Sequence, residues 1–215
     1  MWKRRLRRQP LIVQAIWTVL AVACLAALVT GRWYLAFVSV ATIVLSLLPV
    51  LFQGRFGIRL PVRFFVWIVV FVFATIFLGE AFDFYNWIWW WDIVLHGVSA
   101  VALGLVGFLF VFMLFEGDRY AAPAWAVAFV SFCFALSVGA MWEVFEFAMD
   151  QVFGLNMQKS GLVDTMWDLI VDMIGAAIGA FAGFLHLKGI ELGGLTGVLQ
   201  EFIQKNRRFF RKFRR

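Results

Sequence analysis

The sequence predicts an all-α integral membrane protein, a six-transmembrane-helix bundle with a C-terminal amphipathic basic helix. Of the 215 residues, 64% are hydrophobic and 15% are charged, which is too apolar for a water-soluble domain of this length. Six apolar stretches of about 20 residues are long enough to cross a bilayer. They lack the alternating pattern of a membrane barrel, so each segment must satisfy its backbone hydrogen bonds as a helix.

The six predicted spans follow one another with short connections. They are Leu11–Val29, Trp33–Phe52, Val62–Phe82, Trp91–Phe115, Pro123–Phe153 and Asp164–Leu187. The first follows a basic segment, but its apolar run is longer than that of a signal peptide and lacks a small-residue cleavage site. We therefore divide the chain into a basic cytoplasmic N-terminus (residues 1–10), a transmembrane domain (11–188) whose site helices span 91–187, and a basic cytoplasmic tail (189–215).

Lysine and arginine are concentrated on one side of the predicted membrane. Of the 19, 17 lie in the two termini and in the connections after the second and fourth spans, whereas the opposite side carries only Arg32 and Lys159. Because basic residues are retained on the cytoplasmic side, this bias predicts a multi-pass protein of a bacterial inner membrane with both termini in the cytoplasm. The net charge of +6 is then mainly a topology signal.

The C-terminal tail interleaves apolar and basic side chains at helical spacing. The apolar ones are Leu199, Phe202, Ile203, Phe210 and Phe213, and the basic ones are Lys205, Arg207, Arg208, Arg211, Lys212, Arg214 and Arg215. We expect an amphipathic helix that lies on anionic membrane lipid. Nucleic acid is the rival partner, but a basic helix beside a membrane needs no such ligand, so none is expected.

Polar and acidic residues recur inside the last three spans. They are Asp92, His96 and Ser99 in the fourth, Glu143, Glu146 and Asp150 in the fifth, and Asp164, Asp168 and Asp172 in the sixth. Their helical spacing places each set on one helix face, and in the sixth span that face continues into Gly175, Gly179 and Gly183, where we expect close helix packing. An acidic residue near the centre of a span costs about 2.5–3.5 kcal/mol to insert, so these side chains need an explanation.

The predicted topology brings the three polar faces to the same side of the membrane. The fourth and sixth spans enter from the outer side, and the fifth ends there. At 1.5 Å per residue, His96 and Asp168 lie about one turn below the outer surface, and Glu143 and Asp172 about 10–12 Å below it. We therefore expect the three faces to meet in the outer half of the bundle.

This meeting point combines many carboxylates with one imidazole, and the spans add no lysine or arginine. Carboxylates in a low dielectric cannot all stay ionised without a compensating cation. We predict a divalent metal ion there, with His96, Glu143, Glu146, Asp168 and Asp172 as ligands and catalytic residues. Mg, Ca, Mn or Zn would suit this donor set.

Three further acids, Asp92, Asp150 and Asp164, lie nearer the membrane surface and are additional candidate ligands. Each could instead mark a helix end, and Asp164 before Thr165 has the form of an N-cap. The alternative to a metal is a network of protonated, hydrogen-bonded carboxylic acids that locks the bundle. The second histidine, His186, is expected at the inner membrane interface.

The order of these motifs resembles a known family. Trp91-Asp92-xxx-His96 is followed by Trp142-Glu143-xx-Glu146 and then by Asp164-xxx-Asp168-xxx-Asp172-xx-Gly175-xxx-Gly179. Over residues 90–185 the series resembles the YjdF-like inner-membrane proteins. It is more distantly similar to the VanZ-like proteins, in which amides stand where this chain has Glu146 and Asp172. The resemblance implies a membrane protein of the cell envelope, with VanZ-like members linked to glycopeptide antibiotic resistance, and implies no particular reaction.

The sequence leaves three functions open. The first is an inner-membrane enzyme, a metal-dependent hydrolase or transferase that acts from the periplasmic or outer leaflet on a lipid-linked or other envelope substrate. An unliganded carboxylate would then be the general base, and Ser99 is the only candidate for a covalent nucleophile. The second is a proton- or ion-coupled transporter, which would need polar residues in the cytoplasmic half, where spans four to six are nearly all apolar. The third is an accessory subunit, with a membrane-protein partner or a second copy of the chain against its glycine faces.

Overall fold

The computed structural model describes residues 9–191 and 193–212, and every regular element within those ranges is helical. The helices are α1 (Leu11–Val29), α2 (Trp33–Phe56), α3 (Val62–Val72, continued by a π-helix over Phe73–Ala81), α4 (Phe84–Trp87), α5 (Trp91–Leu114), α6 (Ala124–Phe153), α7 (Leu162–Leu187) and α8 (Gly194–Lys205), with a 3-10 turn at Arg207–Phe209. Six of these described helices, namely α1, α2, α3 with its continuation, α5, α6 and α7, are long and apolar enough to cross a membrane. The predicted all-α membrane bundle is confirmed. Of the two predicted basic termini, residues 1–8 and 213–215 lie outside the described ranges.

Proline and glycine set several ends of these spans. Pro10, Pro61 and Pro123 directly precede α1, α3 and α6, where a fixed φ and a missing amide N–H suit the start of a helix. Gly57 and Gly154 end α2 and α6 with φ of 64° and 66°, a left-handed conformation that glycine adopts without strain. The spans therefore begin and end close to their predicted limits.

Helix α7 begins earlier than predicted. One of the two interpretations of Asp164 made it the N-cap, but the helix starts at Leu162 after Gly161, whose backbone has φ 66° and ψ −128°. Only glycine adopts such a conformation readily, so Gly161 is the residue that precedes the helix. The interpretation of Asp164 as the N-cap was therefore wrong. Asp164 lies instead in the first turn, where the helix dipole stabilises a negative charge.

The chain divides into two compact units, Met1–Trp91 and Asp92–Arg215. In the first, α1, α2 and α3 enclose an apolar core of Val13, Ile16, Leu20, Val38, Phe65, Val69 and Phe77. The indole N–H of Trp17 donates a hydrogen bond to Oγ of Ser46 at 2.9 Å within this unit. The candidate site residues all belong to the second unit. The predicted divisions after residues 10 and 188 stay predictions.

Glycine contacts bring the three long helices of the second unit together. A Cβ atom added at Gly104 on α5 would lie 2.9 Å from the Cα of Gly179 on α7. A Cβ atom at Gly107 on α5 would lie 2.9 Å from the carbonyl oxygen of Ser131 on α6. Such approaches leave no room for a larger side chain, as in the small-residue faces of membrane helices. The glycine face predicted on the sixth span is therefore a packing surface.

Two acidic side chains of α6 and α7, Glu143 and Asp168, point inward while their apolar neighbours point outward. On α6, Glu143 is 4% exposed and Val144 is 67% exposed; on α7, Asp168 is 3% exposed and Trp167 is 58% exposed. Water would favour the reverse order, whereas hydrocarbon penalises exposed charge and tolerates exposed apolar surface. This arrangement is the one expected for helices that meet lipid.

Beyond α7 the tail folds back on the second unit. Leu199 and Ile203 of α8 are buried, and the Phe210 ring lies 5.6 Å from the ring of Phe112 on α5. Three residues of the apolar face predicted to meet the membrane are thus covered by the protein itself, whereas Phe213 lies outside the described residues. Helix α8 ends at Lys205, before Phe210. Anionic lipid as a partner of the basic tail stays a prediction.

His186, in the last turn of α7, is buried within the second unit. It is 1% exposed, and its ring lies edge-on to Phe108 at 5.9 Å and to Phe112 at 6.3 Å between centroids. Aromatic side chains of α5 cover this end of α7, and Phe112 in turn contacts Phe210. The position of His186 at the inner membrane interface stays a prediction.

Candidate functional site

Six side chains gather at the end of the second unit where α5 and α7 begin and α6 finishes, here called the acidic end. They are Asp92 and His96 from α5, Glu143 from α6, and Asp164, Asp168 and Asp172 from α7, together called the acid–histidine cluster. Segments remote in the chain therefore supply one site. The three polar faces meet as the spacing and topology predicted.

His96 contacts three acids through its two ring nitrogens. Its Nδ1 lies 3.3 Å from Oδ1 of Asp172, and its Nε2 lies 3.9 Å from both Oε1 of Glu143 and Oδ1 of Asp92. In a neutral imidazole one nitrogen donates and the other offers a lone pair. A hydrogen bond from Nδ1 to Asp172 therefore leaves Nε2 as an acceptor or ligand facing Glu143 and Asp92.

Asp172 occupies its position because α6 has a glycine opposite it. A Cβ atom at Gly139 would collide with Oδ2 of Asp172. The side chain of Asp172 is 2% exposed, and Oδ2 has no hydrogen-bond partner among the described residues. Gly139 thus belongs to the machinery that positions the site, a role that sequence spacing did not indicate.

Glu143 and Asp168 are buried acids that lack hydrogen bonds within the described chain. Neither oxygen of Glu143 has a hydrogen-bond partner among the residues that the structure describes, although Oε1 faces His96, and Asp168 makes no side-chain hydrogen bond among them. The hydroxyl of Thr165 lies near Glu143; it accepts a hydrogen bond from Nε2 of Gln158 at 2.7 Å and keeps its own proton to donate. Buried carboxylates without partners are rare in proteins because burying an unpaired polar group is costly.

The ligand atoms of these residues form two compact sets. One atom each from His96, Glu143 and Asp168 lie within 4.8 Å of one another, and so do one atom each from Asp92, Asp164 and Asp168. Two N or O ligands bound to the same ion at about 2.0–2.2 Å are at most about 4.4 Å apart. A small inward movement would therefore let either set hold a cation, and Asp168 belongs to both sets.

Glu146 lies in neither set. Its Oε1 accepts a hydrogen bond from the indole N–H of Trp142 at 2.9 Å, and the side chain is 9% exposed. Of the five residues predicted as metal ligands, Glu146 and Asp172 are the two that neither set contains. A buried carboxylate outside the ligand sets has the right character for a proton acceptor.

Asp150 organises the α6–α7 connection. Its Oδ1 accepts a hydrogen bond from the backbone N–H of Met157 at 2.7 Å, and its Oδ2 accepts one from Gln158 at 3.0 Å. Both carboxylate oxygens are thus engaged by the loop. These contacts account for the acid without a metal, and neither ligand set includes it.

Lys159 is a candidate functional residue that the sequence analysis missed. Its Nζ lies 3.3 Å from Oδ2 of Asp92. Lys159 lies outside the predicted spans, in the α6–α7 loop, where its backbone is left-handed with φ 22°. The sequence feature that could have indicated a role for Lys159 is its isolation, since no other lysine or arginine occurs between Arg119 and Lys188.

Ser99 is engaged with its own helix. Its hydroxyl donates to the backbone carbonyl of His96 at 2.8 Å, a common bond of serine within a helix. The geometry therefore gives no support to a covalent nucleophile at this position.

Comparison with known proteins assigns the chain to a family. The family described as predicted membrane protein (DUF2238) matches residues 11–189, which contain all six spans and the whole acid–histidine cluster. The chain belongs to this family. The match agrees with the resemblance to YjdF-like proteins, and the more distant VanZ-like resemblance stays a prediction.

One relative of this DUF2238 chain is an uncharacterized protein of Thermotoga maritima, 29% identical over 104 residues. The aligned segment covers 48% of this chain and 53% of that protein, so the chain spans about half the length of the curated relative it matches. No solved structure matches the chain. Family membership thus identifies a membrane protein, and its six apolar helices make it a multi-pass one.

Proposed function

We propose that this DUF2238 protein is a metal-dependent hydrolase or transferase of the bacterial inner membrane, with its site open to the periplasmic or outer leaflet. Nε2 of His96, together with Glu143 and Asp168, would bind a divalent cation. One observation carries the proposal: His96 has one ring nitrogen on Asp172 and the other facing acids that lack hydrogen-bond partners among the described residues.

The pairing of His96 with Asp172 supports a metal-binding histidine. Such histidines almost always donate their second ring N–H to a carboxylate, a carbonyl or water, which fixes the tautomer and the ring orientation. Asp172 is 3.3 Å from Nδ1 and can accept that bond. In this proposal Asp172 orients His96, instead of binding the ion directly as the sequence predicted.

Hydrogen bonding within the cluster favours a cation over a protonated network. Protonated acids that lock a bundle would donate hydrogen bonds to one another. Glu143 and Oδ2 of Asp172 make none within the described chain. A bound cation would compensate the negative charge of such acids without requiring those hydrogen bonds.

The surroundings of the cluster suit an amphiphilic substrate. Asp92 and Lys159 are 20% and 27% exposed in their side chains, so the cluster is accessible at its rim. Trp142, which binds Glu146, is 47% exposed, and Trp167, next to Asp168, is 58% exposed. A polar centre on helices whose outward faces carry exposed tryptophan favours a lipid-linked substrate whose polar part enters while its chain stays in the bilayer.

The chemistry then divides among the residues of the site. A divalent cation held by His96, Glu143 and Asp168 would lower the pKa of a bound water and polarise the bond under attack. Glu146, held by Trp142 outside both ligand sets, would accept the proton that the attacking water loses. Lys159 at the rim would meet the polar part of the substrate first.

Packing away from the acidic end favours an enzyme over a transporter. Among the described residues, that half of α5 and α7 is joined by the contact of Gly104 with Gly179 and closed by Phe108 and Phe112 around His186. A path for protons or ions would need polar groups along the whole route.

Metal analysis of the protein purified in detergent tests the proposal. Wild type loaded with Mn²⁺, Mg²⁺ or Zn²⁺ should retain an ion through gel filtration, and a chelator should lower its melting temperature, because a ligand bound only by the folded state stabilises that state. Glu143→Gln and Asp168→Asn should each weaken binding by at least about tenfold. Glu146→Gln is the matched control, the same change one turn away on α6, and should retain metal affinity.

The opposite pattern would contradict the proposal. An amide mimics a protonated acid, so a protonated network would tolerate both ligand variants. A wild type that ignores the chelator, with Glu143→Gln and Asp168→Asn melting at or above the wild-type temperature, would exclude the metal.

A further inference from the structure

The second ligand set lies directly beside the first and shares a residue with it. Asp92, Asp164 and Asp168 each place one oxygen within 4.8 Å of the others, and Asp168 also belongs to the set of His96 and Glu143. Asp168 is 3% exposed and makes no side-chain hydrogen bond in the described chain. Its two oxygens are therefore available to two different partners.

Asp92 also faces both sets. Its Oδ1 lies 3.9 Å from Nε2 of His96, while its Oδ2 lies 3.3 Å from Nζ of Lys159. One oxygen points toward the inner set and the other toward the rim. The chain itself thus places a cation, the ammonium of Lys159, against the outer set.

The loop that carries Lys159 is held in place by defined contacts. Asp150 accepts hydrogen bonds from the backbone of Met157 and Gln158, and the side chain of Gln158 donates to Thr165. The ammonium is therefore directed to the outer set by an ordered loop. Its side chain is 27% exposed, so an ion arriving from outside the protein can compete with it.

We propose that the acid–histidine cluster is a two-cation centre in which Asp168 bridges the ion of His96 and Glu143 to a second divalent ion held by Asp92 and Asp164. This inference rests on the proposed function, which supplies the inner ion. Paired ions in such centres lie about 3.5–4 Å apart, a spacing that two sets sharing one carboxylate accommodate. The outer ion takes the place of the Lys159 ammonium at Asp92.

Formal charge favours two ions over one. Four carboxylates belong to the two sets. A single divalent cation offsets half of their charge, and Lys159 offsets one more. Two divalent cations balance the four acids and release Lys159 to pair with an anionic group of the substrate.

Titration of the full-length protein in detergent with Mn²⁺, followed by electron paramagnetic resonance, tests the second ion. Wild type should bind two Mn²⁺ per chain and give the broadened spectrum of a magnetically coupled pair. Asp164→Asn, at the rim, should bind one Mn²⁺ with the six-line spectrum of an isolated ion. Asp168→Asn should lose the coupled spectrum as well.

A lysine variant provides an independent arm. Lys159→Gln removes the competing ammonium and should tighten the second Mn²⁺ by at least about threefold. Lys205→Gln, which removes an exposed lysine paired with Glu201 on α8, is the matched control and should change nothing.

The outcomes separate this inference from the proposed function. A wild type with one isolated Mn²⁺ that Asp164→Asn and Lys159→Gln leave unchanged would overturn the two-cation centre while the proposed function stands. A wild type that binds no divalent cation would overturn both.

Discussion

Nδ1 of His96 on α5 lies 3.3 Å from Oδ1 of Asp172 on α7, a residue 76 positions later in the chain. Both side chains are buried. The orientation of the only histidine at the acidic end of the described structure therefore depends on how α7 packs against α5.

Asp172→Asn should weaken metal binding without removing it. The amide keeps the shape but loses the charge that orients His96, and outer partners of this kind are worth about 10- to 100-fold in affinity. Competition with a chelating dye would measure the change. Glu201→Gln on α8 is the control for the loss of one acid. An unchanged affinity in Asp172→Asn would mean that His96 is oriented by something else.

Gly139→Ala should destabilise the protein. The added Cβ would collide with Oδ2 of Asp172, and overpacking of this kind typically costs about 1–3 kcal/mol. Gly197→Ala on α8 is the matched control, since its Cβ would meet no atom within 4 Å and alanine gains about 0.5–1 kcal/mol over glycine inside a helix. Thermal unfolding in detergent would compare the two. Equal melting temperatures would show that the Asp172 carboxylate can shift freely.

Phe210→Ala should release the C-terminal tail. The Phe210 ring is 3% exposed and packs on Phe112, and truncating a buried phenylalanine costs about 3–5 kcal/mol. Limited trypsin digestion should then cut faster at Arg207 and Arg208. Phe209→Ala, which truncates a half-buried neighbour, should change the rate much less. Similar rates in both variants would show that other contacts fix the tail, such as the bond from the Lys212 N–H to the Glu116 carbonyl.

Reporter fusions should respond as cytoplasmic after residue 215 and within residues 53–63. Fusions within residues 81–86 and 155–160 should respond as external. The reason is the concentration of 17 of 19 basic residues on one side of the predicted membrane. An external C-terminus would turn the acid–histidine cluster toward the cytoplasm and change the substrates it could meet.

Spacing along the sequence predicted which residues share a helix face. Asp168, Asp172, Gly175 and Gly179 all lie on the buried face of α7, because helical periodicity follows from local geometry alone. The meeting of this face with His96 was also predicted, because the predicted membrane topology places these residues at similar depths on the same side.

Contacts between elements could not be read in the same way. Neither the engagement of Asp172 with Nδ1 of His96 nor its closeness to Gly139 follows from spacing, because both depend on how the helices are rotated about their axes. The approach of Lys159 to Asp92 depends on left-handed backbone in a loop. The burial of His186 depends on aromatic side chains from another helix.

The close fit of Asp172 against Gly139 also bears on the biogenesis of the protein. Helix α7 carries three acids, and each would oppose partition of an isolated segment into lipid. Helices α5 and α6 precede α7 in the chain. The ribosome therefore synthesises His96 and Gly139, which contact Asp172, before it synthesises α7. The last span can then enter the bilayer against its neighbours. A chain that fails this step leaves the carboxylates of α7 facing lipid, where they are costly.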